Sequence, residues 1–509
     1  MATNPAERRS TLIELLAHGA DDHPALSAPG ARPLTYAALR ALVQKTIAEL
    51  NANGVGRGDR VAIVLPNGPE MASAFIAIAS GAAAAPLNPA YKAEEFAFYL
   101  SDLKAKALVV EEGSRSPAVE AARQLGVRVL TLNPQPQAGA GAFTLNVEGT
   151  GACETGPARA GDVALILHTS GTTSRPKIVP LTQRNVSVSA GNIAATLEFT
   201  QRDVGLNIMP LFHIHGLMAG VLAPLSAGGC VFCTPGFNAL RFFAWIDESH
   251  PTWYTAVPTM HQAILGRAAN NRDVIARHPL RFLRSSSSSM PPQVIVELEA
   301  AFHAPLIEAY GMTEASHQMA SNPLHAVRKP GGVGLAAGPE VAIMDDAGDL
   351  LPAGETGEIV IRGDNVTAGY EANPAANAAA FTKGWFRTGD QGVKDADGYL
   401  SLTGRLKEII NRGGEKISPR EVDEVLMDHP AVRQVVVFAV KHDKLGEDVA
   451  AAVVLKEGAT ATEQEIRDFA AKRLAAYKTP RKVLFLDQIP LGATGKLQRI
   501  GLAAQLGLE

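Results

Sequence analysis

His168-Thr-Ser-Gly-Thr-Thr-Ser-Arg-Pro-Lys177 follows directly on an apolar run, Val163-Ala-Leu-Ile-Leu167. The run reads as a buried strand, after which the chain breaks into a loop of hydroxyls, one glycine and two cations. Gly171 permits a close turn around an anion. Thr169, Ser170, Thr172, Thr173 and Ser174 offer uncharged donors, and Arg175 and Lys177 offer positive charge. This chemistry suits a polyphosphate. The spacing G-x-x-x-x-G-K-[ST] is absent, which removes a P-loop ATPase or kinase. Alone, the segment has a Ser/Thr-rich surface turn as its lesser reading; the rest of the chain decides.

Outward from this loop, strands and helices alternate. On the N-terminal side, strands at 59–67, 81–88 and 107–110 are interleaved with helices at 37–51, 70–78 and 91–100. On the C-terminal side, strands at 204–209, 228–233, 253–257, 282–285 and 305–309 are interleaved with helices at 213–225 and 239–248. Their apolar runs are continuous, which implies parallel strands covered on both faces. From 329 to 403 the segments become short, period-2 and turn-separated, the pattern of a small antiparallel, β-barrel-like module. Beyond Arg405 a helix at 419–427, strands at 432–440 and 449–455 and a helix at 462–474 read as α+β. The expected architecture is a large α/β N-terminal domain, 1–404, with parallel-type sheets flanked by helices and the β-rich module at 329–403. A smaller α+β C-terminal domain, 405–509, follows.

The length of 509 residues exceeds one ordinary core and agrees with more than one domain. A formal net charge of -4 gives no reason to expect nucleic acid or an anionic membrane as partner. No apolar run reaches the length of a membrane span, so membrane insertion is not expected. Of the three cysteines, Cys230 and Cys233 form a C-x-x-C in a strand-like stretch with no second pair to complete a zinc site. In a strand their spacing points them to opposite faces, so buried, inert thiols and a reducing cytoplasmic setting are expected. Oligomeric state is left open.

Taken together with Tyr310-Gly-Met-Thr-Glu314, Trp385-Phe-Arg-Thr-Gly-Asp390, Gly404-Arg-Leu-Lys407 and Gly492-Ala-Thr-Gly-Lys496, the loop at 168–177 resembles the adenylate-forming superfamily. That superfamily includes acyl- and aryl-CoA synthetases, luciferases and peptide-synthetase adenylation domains, and the resemblance covers nearly the whole chain. It implies an AMP-forming acid–thiol ligase whose partners are a small carboxylic acid, ATP with Mg²⁺, and coenzyme A as co-substrate. Two anions, a carboxylate and a phosphate, are brought together in such a reaction, so cations must neutralise them and hold them in line.

By the same resemblance, residues 169–177 hold the β- and γ-phosphates, with Ser174 standing where relatives more often have glycine. Thr313 contacts the α-phosphate, Glu314 holds Mg²⁺ and Tyr310 stacks on adenine. Asp390 and Arg405 meet the ribose hydroxyls. Lys496 delivers a mobile cation to the reacting carboxylate. Lys407 is the hinge on which the smaller domain swings, and Gly413 and Gly414 let a pantetheine thiol pass close to the backbone. Tyr477-Lys-Thr-Pro480 favours CoA over a carrier protein.

The matching acid-pocket positions are His213, Ser286, Ser288, Ala309 and His317; His213 also counts among the catalytic residues, with Thr313, Glu314 and Lys496. Buried hydroxyls and imidazoles without partners are unfavourable, so this lining suits a small polar acid with a second carboxylate better than an apolar chain. Over its length the chain resembles the oxalyl-CoA synthetases of plants and fungi. Shared stretches include Pro86-Leu-Asn-Pro-Ala-Tyr91, His213-Ile-His-Gly216, Trp253-Tyr-Thr-Ala-Val-Pro-Thr259 and Asn411-Arg-Gly-Gly-Glu-Lys-Ile-Ser-Pro419. Oxalate is thus the first choice; another short dicarboxylate, a medium- or long-chain fatty acid or an aryl acid are the alternatives. The five serines at 285–289 also read as a plain strand end, and His215 as a core imidazole.

Overall fold

The computed structural model describes residues 10–147, 149, 151–169, 176–490 and 498–508. Ser170, Gly171, Thr172, Thr173, Ser174 and Lys496 lie outside these described residues. The chain divides into two units. The first takes in residues up to Thr169, Lys177–Val341 and Ile361–Gly384; the second takes in Ala342–Val360 and the chain from Trp385 onward.

The first unit carries two large sheets. One runs in the order Leu335–Ala336, His317–Ser321, Leu306–Met312, Phe282–Ser285, Trp253–Ala256, Val204–Asn207, Cys230–Cys233, Pro24–Ser27, Leu34–Thr35. Its six middle strands, from Leu306–Met312 to Pro24–Ser27, pair in parallel, as the continuous apolar runs require. The edge strands pair antiparallel. The sheets are therefore mixed, with parallel centres. Every residue of Trp253–Ala256 and Phe282–Ser285 is buried. Trp253 stacks with Phe282 and Phe199 on one face, while Tyr254 packs with Phe242 and Phe302 on the other. Cys230 and Cys233 are buried, and burial raises both thiols.

The second sheet of this unit is ordered Phe143–Leu145, Arg128–Pro134, Ala107–Glu111, Arg60–Val64, Ala83–Pro86, Val163–Thr169, Lys177–Thr182. Val163–Thr169 pairs antiparallel with Lys177–Thr182, with Thr169 opposite Lys177. The hydroxyl-rich stretch is thus flanked by two paired antiparallel strands.

One expected helix differs. The stretch read as a helix over 213–225 is π-helical at Gly216–Leu222 and α-helical at Ala223–Ser226. A side chain at Gly216 would run into the Pro210 carbonyl, so glycine is what lets this wide turn lie against the loop before it.

In the second unit, Trp385–Lys394 and Leu400–Arg405 lie in one sheet, paired antiparallel. The hairpin Val432–His442/Gly446–Leu455, joined by Ile410–Arg412, Glu415–Ile417 and Lys482–Phe485, forms the other. Helices Pro419–Met427 and Glu463–Ala471 cover it, closing a core of Ile410, Val422, Val437, Val449, Val453 and Ile466. This is the expected α+β body. Among the described residues no helix is long and apolar enough to cross a membrane.

Candidate functional site

In an open parallel sheet, ligands bind outside the carboxyl ends of the strands, where successive connections leave in opposite directions. In the nine-stranded sheet that point falls between Val204–Asn207 and Trp253–Ala256. The chain leaves Val204–Asn207 toward Cys230–Cys233 on one side, and leaves Trp253–Ala256 toward Phe282–Ser285 on the other. His215 spans the gap: its Nε2 lies 2.6 Å from Thr255 Oγ1. Asn67 steadies the approach to it, accepting from the Leu211 N–H at 2.8 Å.

Below this point sits Arg284, wholly buried at the end of Phe282–Ser285. Its Nη1 faces His215 Nε2 and Thr255 Oγ1, both at 3.3 Å; its Nη2 faces His317 Nε2 at 3.2 Å and donates to Gln318 Oε1 at 3.1 Å. None of these four partners is a carboxylate, and burial pulls the guanidinium down to about 9. His215 and His317 stack at 4.9 Å, their planes 20° apart. His215 Nδ1 reaches Ser287 Oγ at 3.0 Å, and Ser287 is exposed with φ +74°.

The expected pocket residues gather on the same strand ends. Ser286 is buried and donates to the Ala309 carbonyl at 2.8 Å, tying two parallel strands together. Ser288 is exposed, in the loop that leaves the strand. His213 is half-buried, packed on Phe212. His317 is buried with φ +95°, next to Ser316 at +49°. Two consecutive non-glycine residues in this region store strain at the site. Gly311 makes the fold-back possible, because a Cβ there would collide with the His317 carbonyl.

The same fold-back positions the residues expected to meet the nucleotide. Tyr310 closes the strand Leu306–Met312, and Thr313–Ala315 is a single tight turn that brings Thr313 and Glu314 to its tip. Glu314 is buried and accepts from the Tyr370 hydroxyl at 2.8 Å. Lys177 Nζ stands 4.2 Å from the Tyr370 ring centre, so one tyrosine meets both Lys177 and Glu314. On the strand paired with Lys177–Thr182, His168 Nε2 lies 3.0 Å from Asp102, though burial lowers the imidazole below its usual range. A lone oriented carboxylate fits Mg²⁺, which keeps waters and phosphate oxygens as its other ligands. Among the described residues no group of three or more His, Cys, Asp or Glu could hold a metal unaided.

In the second unit, Asp390 is opposite Arg405 on paired strands, and the Arg405 Nε donates to Asp390 Oδ1 at 2.8 Å. Lys407 is exposed in a one-turn helix, Leu406–Glu408, directly after that strand. Gly413 and Gly414, at φ +63° and +99°, form the two-residue turn between Ile410–Arg412 and Glu415–Ile417.

A family model described as AMP-binding enzyme matches residues 14–371, and one described as AMP-binding enzyme C-terminal domain matches 421–496. The chain belongs to the AMP-binding enzyme family. An Arabidopsis thaliana protein named oxalate–CoA ligase is 46% identical over 98% of this chain and 98% of its own. A Saccharomyces cerevisiae protein of the same name is 43% identical over 87% and 86%. The crystal structure of ATP-bound MatB from Rhodopseudomonas palustris superposes with a TM-score of 0.87 at 29% identity, covering 98% of this chain and 99% of that one. This AMP-binding enzyme is an AMP-forming acid–thiol ligase: with ATP and Mg²⁺ it makes an acyl-adenylate, and it passes the acyl group to CoA.

Sequence reasoning did not single out Tyr370, Arg284 or Ser287. Tyr370 lies in no motif and meets Glu314 only through the tertiary fold. Arg284 sat in an apolar strand, and a charge in such a run was the signal that could have found it.

Proposed function

We propose that the acid is oxalate, and that the enzyme forms oxalyl-CoA, AMP and pyrophosphate through an oxalyl-adenylate. The observation that carries this is the buried Arg284–His215–His317 cluster at the switch point of the sheet. An alkyl or aryl chain placed against it would leave polar imidazoles facing hydrocarbon, which is unfavourable by several kcal/mol. A compact dianion finds donors and positive charge there. The names of the Arabidopsis and yeast relatives favour the same acid.

In this reading one oxalate oxygen attacks the α-phosphorus of ATP and pyrophosphate leaves. The CoA thiol then attacks the acyl carbon, loses its proton, and AMP departs. The stretch at 169–177 cradles the β- and γ-phosphates, Thr313 orients the α-phosphate, Tyr310 backs the adenine, and Asp390 with Arg405 takes the ribose hydroxyls. Glu314 would hold Mg²⁺, which screens the phosphate charge when bound. Lys496 is the cation at the reacting oxygens, and Gly413 and Gly414 line the thiol's approach. His213, Ser286, Ser288, Ala309 and His317 form the acid pocket. The domains are 1–404 and a mobile 405–509 with Lys407 as hinge, and the enzyme works in the cytoplasm.

The test is CoA-dependent AMP release from Mg-ATP with oxalate, malonate, acetate, octanoate and coumarate at equal concentrations. Oxalate should lead by at least tenfold in kcat/KM. A lead by octanoate or coumarate would keep the ligase and discard the acid.

A further inference from the structure

Arg284 is a costly residue for a parallel-sheet core. Among the described residues no carboxylate pairs with this wholly buried cation, which forfeits its hydration for hydrogen bonds to a hydroxyl, an amide and two imidazoles. A chain that needed only packing would do better with an apolar side chain of similar volume. The arrangement has a consequence for its neighbours. A guanidinium only donates, so the ring nitrogens that face it, His215 Nε2 and His317 Nε2, are acceptors. Thr255 Oγ1 reinforces this by donating to His215 Nε2 while it accepts from Arg284. Both imidazoles are thereby fixed as neutral rings with the proton on Nδ1, on the side away from the arginine. The Nδ1–H of His215 then donates to Ser287 Oγ, whose own proton is left to point outward from the exposed loop.

We propose that Arg284 is a specificity-determining positioning residue: through His215, which His317 holds in place by stacking, and through Ser287 it presents an oriented O–H donor, backed by one buried positive charge, to the second carboxylate of the acid. The proposal rests on the dicarboxylate reading given above and adds to it the source of the charge and the relay that carries it. Arg284 makes no contact with the acid. It acts through the rings, one imidazole removed. The strained backbone at Ser287, Ser316 and His317 fits this role, because all three residues are held at positive φ where the relay needs them.

The experiment uses the full chain in three forms, wild type, Arg284→Met and Arg284→Lys, with Michaelis constants for oxalate and for Mg-ATP measured separately. The wild-type acid panel comes first and decides the dicarboxylate reading on its own. Arg284→Met should raise the oxalate KM at least 30-fold and change the ATP KM less than threefold. Arg284→Lys, which keeps the charge but cannot bond both rings, should recover part of that loss. Equal rises in both constants, or none in either, would overturn the proposal even if the wild type prefers oxalate. Ser287→Ala keeps the test alive should the core variants fail to fold, since Ser287 is exposed. It should raise the oxalate KM five- to tenfold at constant ATP KM, and an unchanged oxalate KM would remove the relay.

Discussion

Tyr370 donates its phenolic hydrogen to Glu314 at 2.8 Å, and its ring lies 4.2 Å from the ammonium of Lys177. Tyr370 is itself clamped, its N–H donating to Asn377 Oδ1 at 2.7 Å and its carbonyl accepting from Asn377 Nδ2 at 2.8 Å. The proposed Mg²⁺ carboxylate is therefore oriented by a residue 56 positions further along the chain. A hydrogen bond to a charged group contributes about 1.5–3 kcal/mol. Tyr370→Phe should accordingly raise the Mg²⁺ concentration needed for half-maximal pyrophosphate release by roughly tenfold or more, with little change in the acid KM. An unaltered Mg²⁺ dependence would separate Tyr370 from Glu314 function.

Elements whose information is local were legible in the sequence. Continuous apolar runs marked the parallel strands, and the helix expected at 462–474 forms over Glu463–Ala471, where the structure closes a capping box between Thr462 and Glu465. Site residues drawn together by topology were not. Arg284 and His317 are 33 positions apart and meet because their strands flank Leu306–Met312. Nothing local in His213-Ile-His215 distinguishes a ring that faces a pocket from one that meets a buried cation. The glycines show the opposite case. Gly413 and Gly414 were read for a passing thiol, yet the two-residue hairpin turn already requires positive φ at both positions. Local backbone demand and functional demand coincide there and leave one signal.

Gly311 stands where the strand Leu306–Met312 folds back on His317–Ser321, and a Cβ there would meet the His317 carbonyl. Neither partner can yield, since both are backbone in a paired hairpin. Gly311→Ala should destabilise the protein by about 1–3 kcal/mol through overpacking, and it should displace Thr313, Glu314 and His317 together. Thermal denaturation and the two Michaelis constants would read this, with the ATP and acid KM values both rising. A lowered Tm with unchanged constants would show that the turn tolerates the shift.

His261 is buried, its Nδ1 accepting from the Tyr254 hydroxyl at 3.0 Å and its Nε2–H donating to the Arg284 carbonyl at 3.1 Å. Burial holds it neutral, pulling its pKa from 6.5 to about 4. Between those values the unfolded chain binds a proton that the folded chain refuses, so this group's stabilisation is full above pH 6.5 and is lost as pH falls toward 4. The difference amounts to about 3 kcal/mol, from the span between the two pKa values. His261→Gln cannot titrate, so its denaturation free energy should fall less steeply across that window than the wild type's. Parallel acid limbs would assign the loss to other groups.

Lys496 carries the proposed charge for the first half-reaction. A cation that meets the carboxylate and phosphate oxygens as charge redistributes acts in the transition state more than in the ground state. Removing it should raise the adenylation barrier by about 3–4 kcal/mol, a loss of roughly 100- to 1000-fold in pyrophosphate release by Lys496→Ala. Transfer from supplied acyl-adenylate to CoA has no pyrophosphate to expel and brings a neutral acyl carbon to the thiol, so it should proceed within a few-fold of the wild-type rate. The two half-reactions are separable, by pyrophosphate release without CoA and by thioester formation from synthetic adenylate without ATP. Comparable losses in both would mean that Lys496 serves the protein's structure or both steps alike, and its assignment to adenylation would have to be given up.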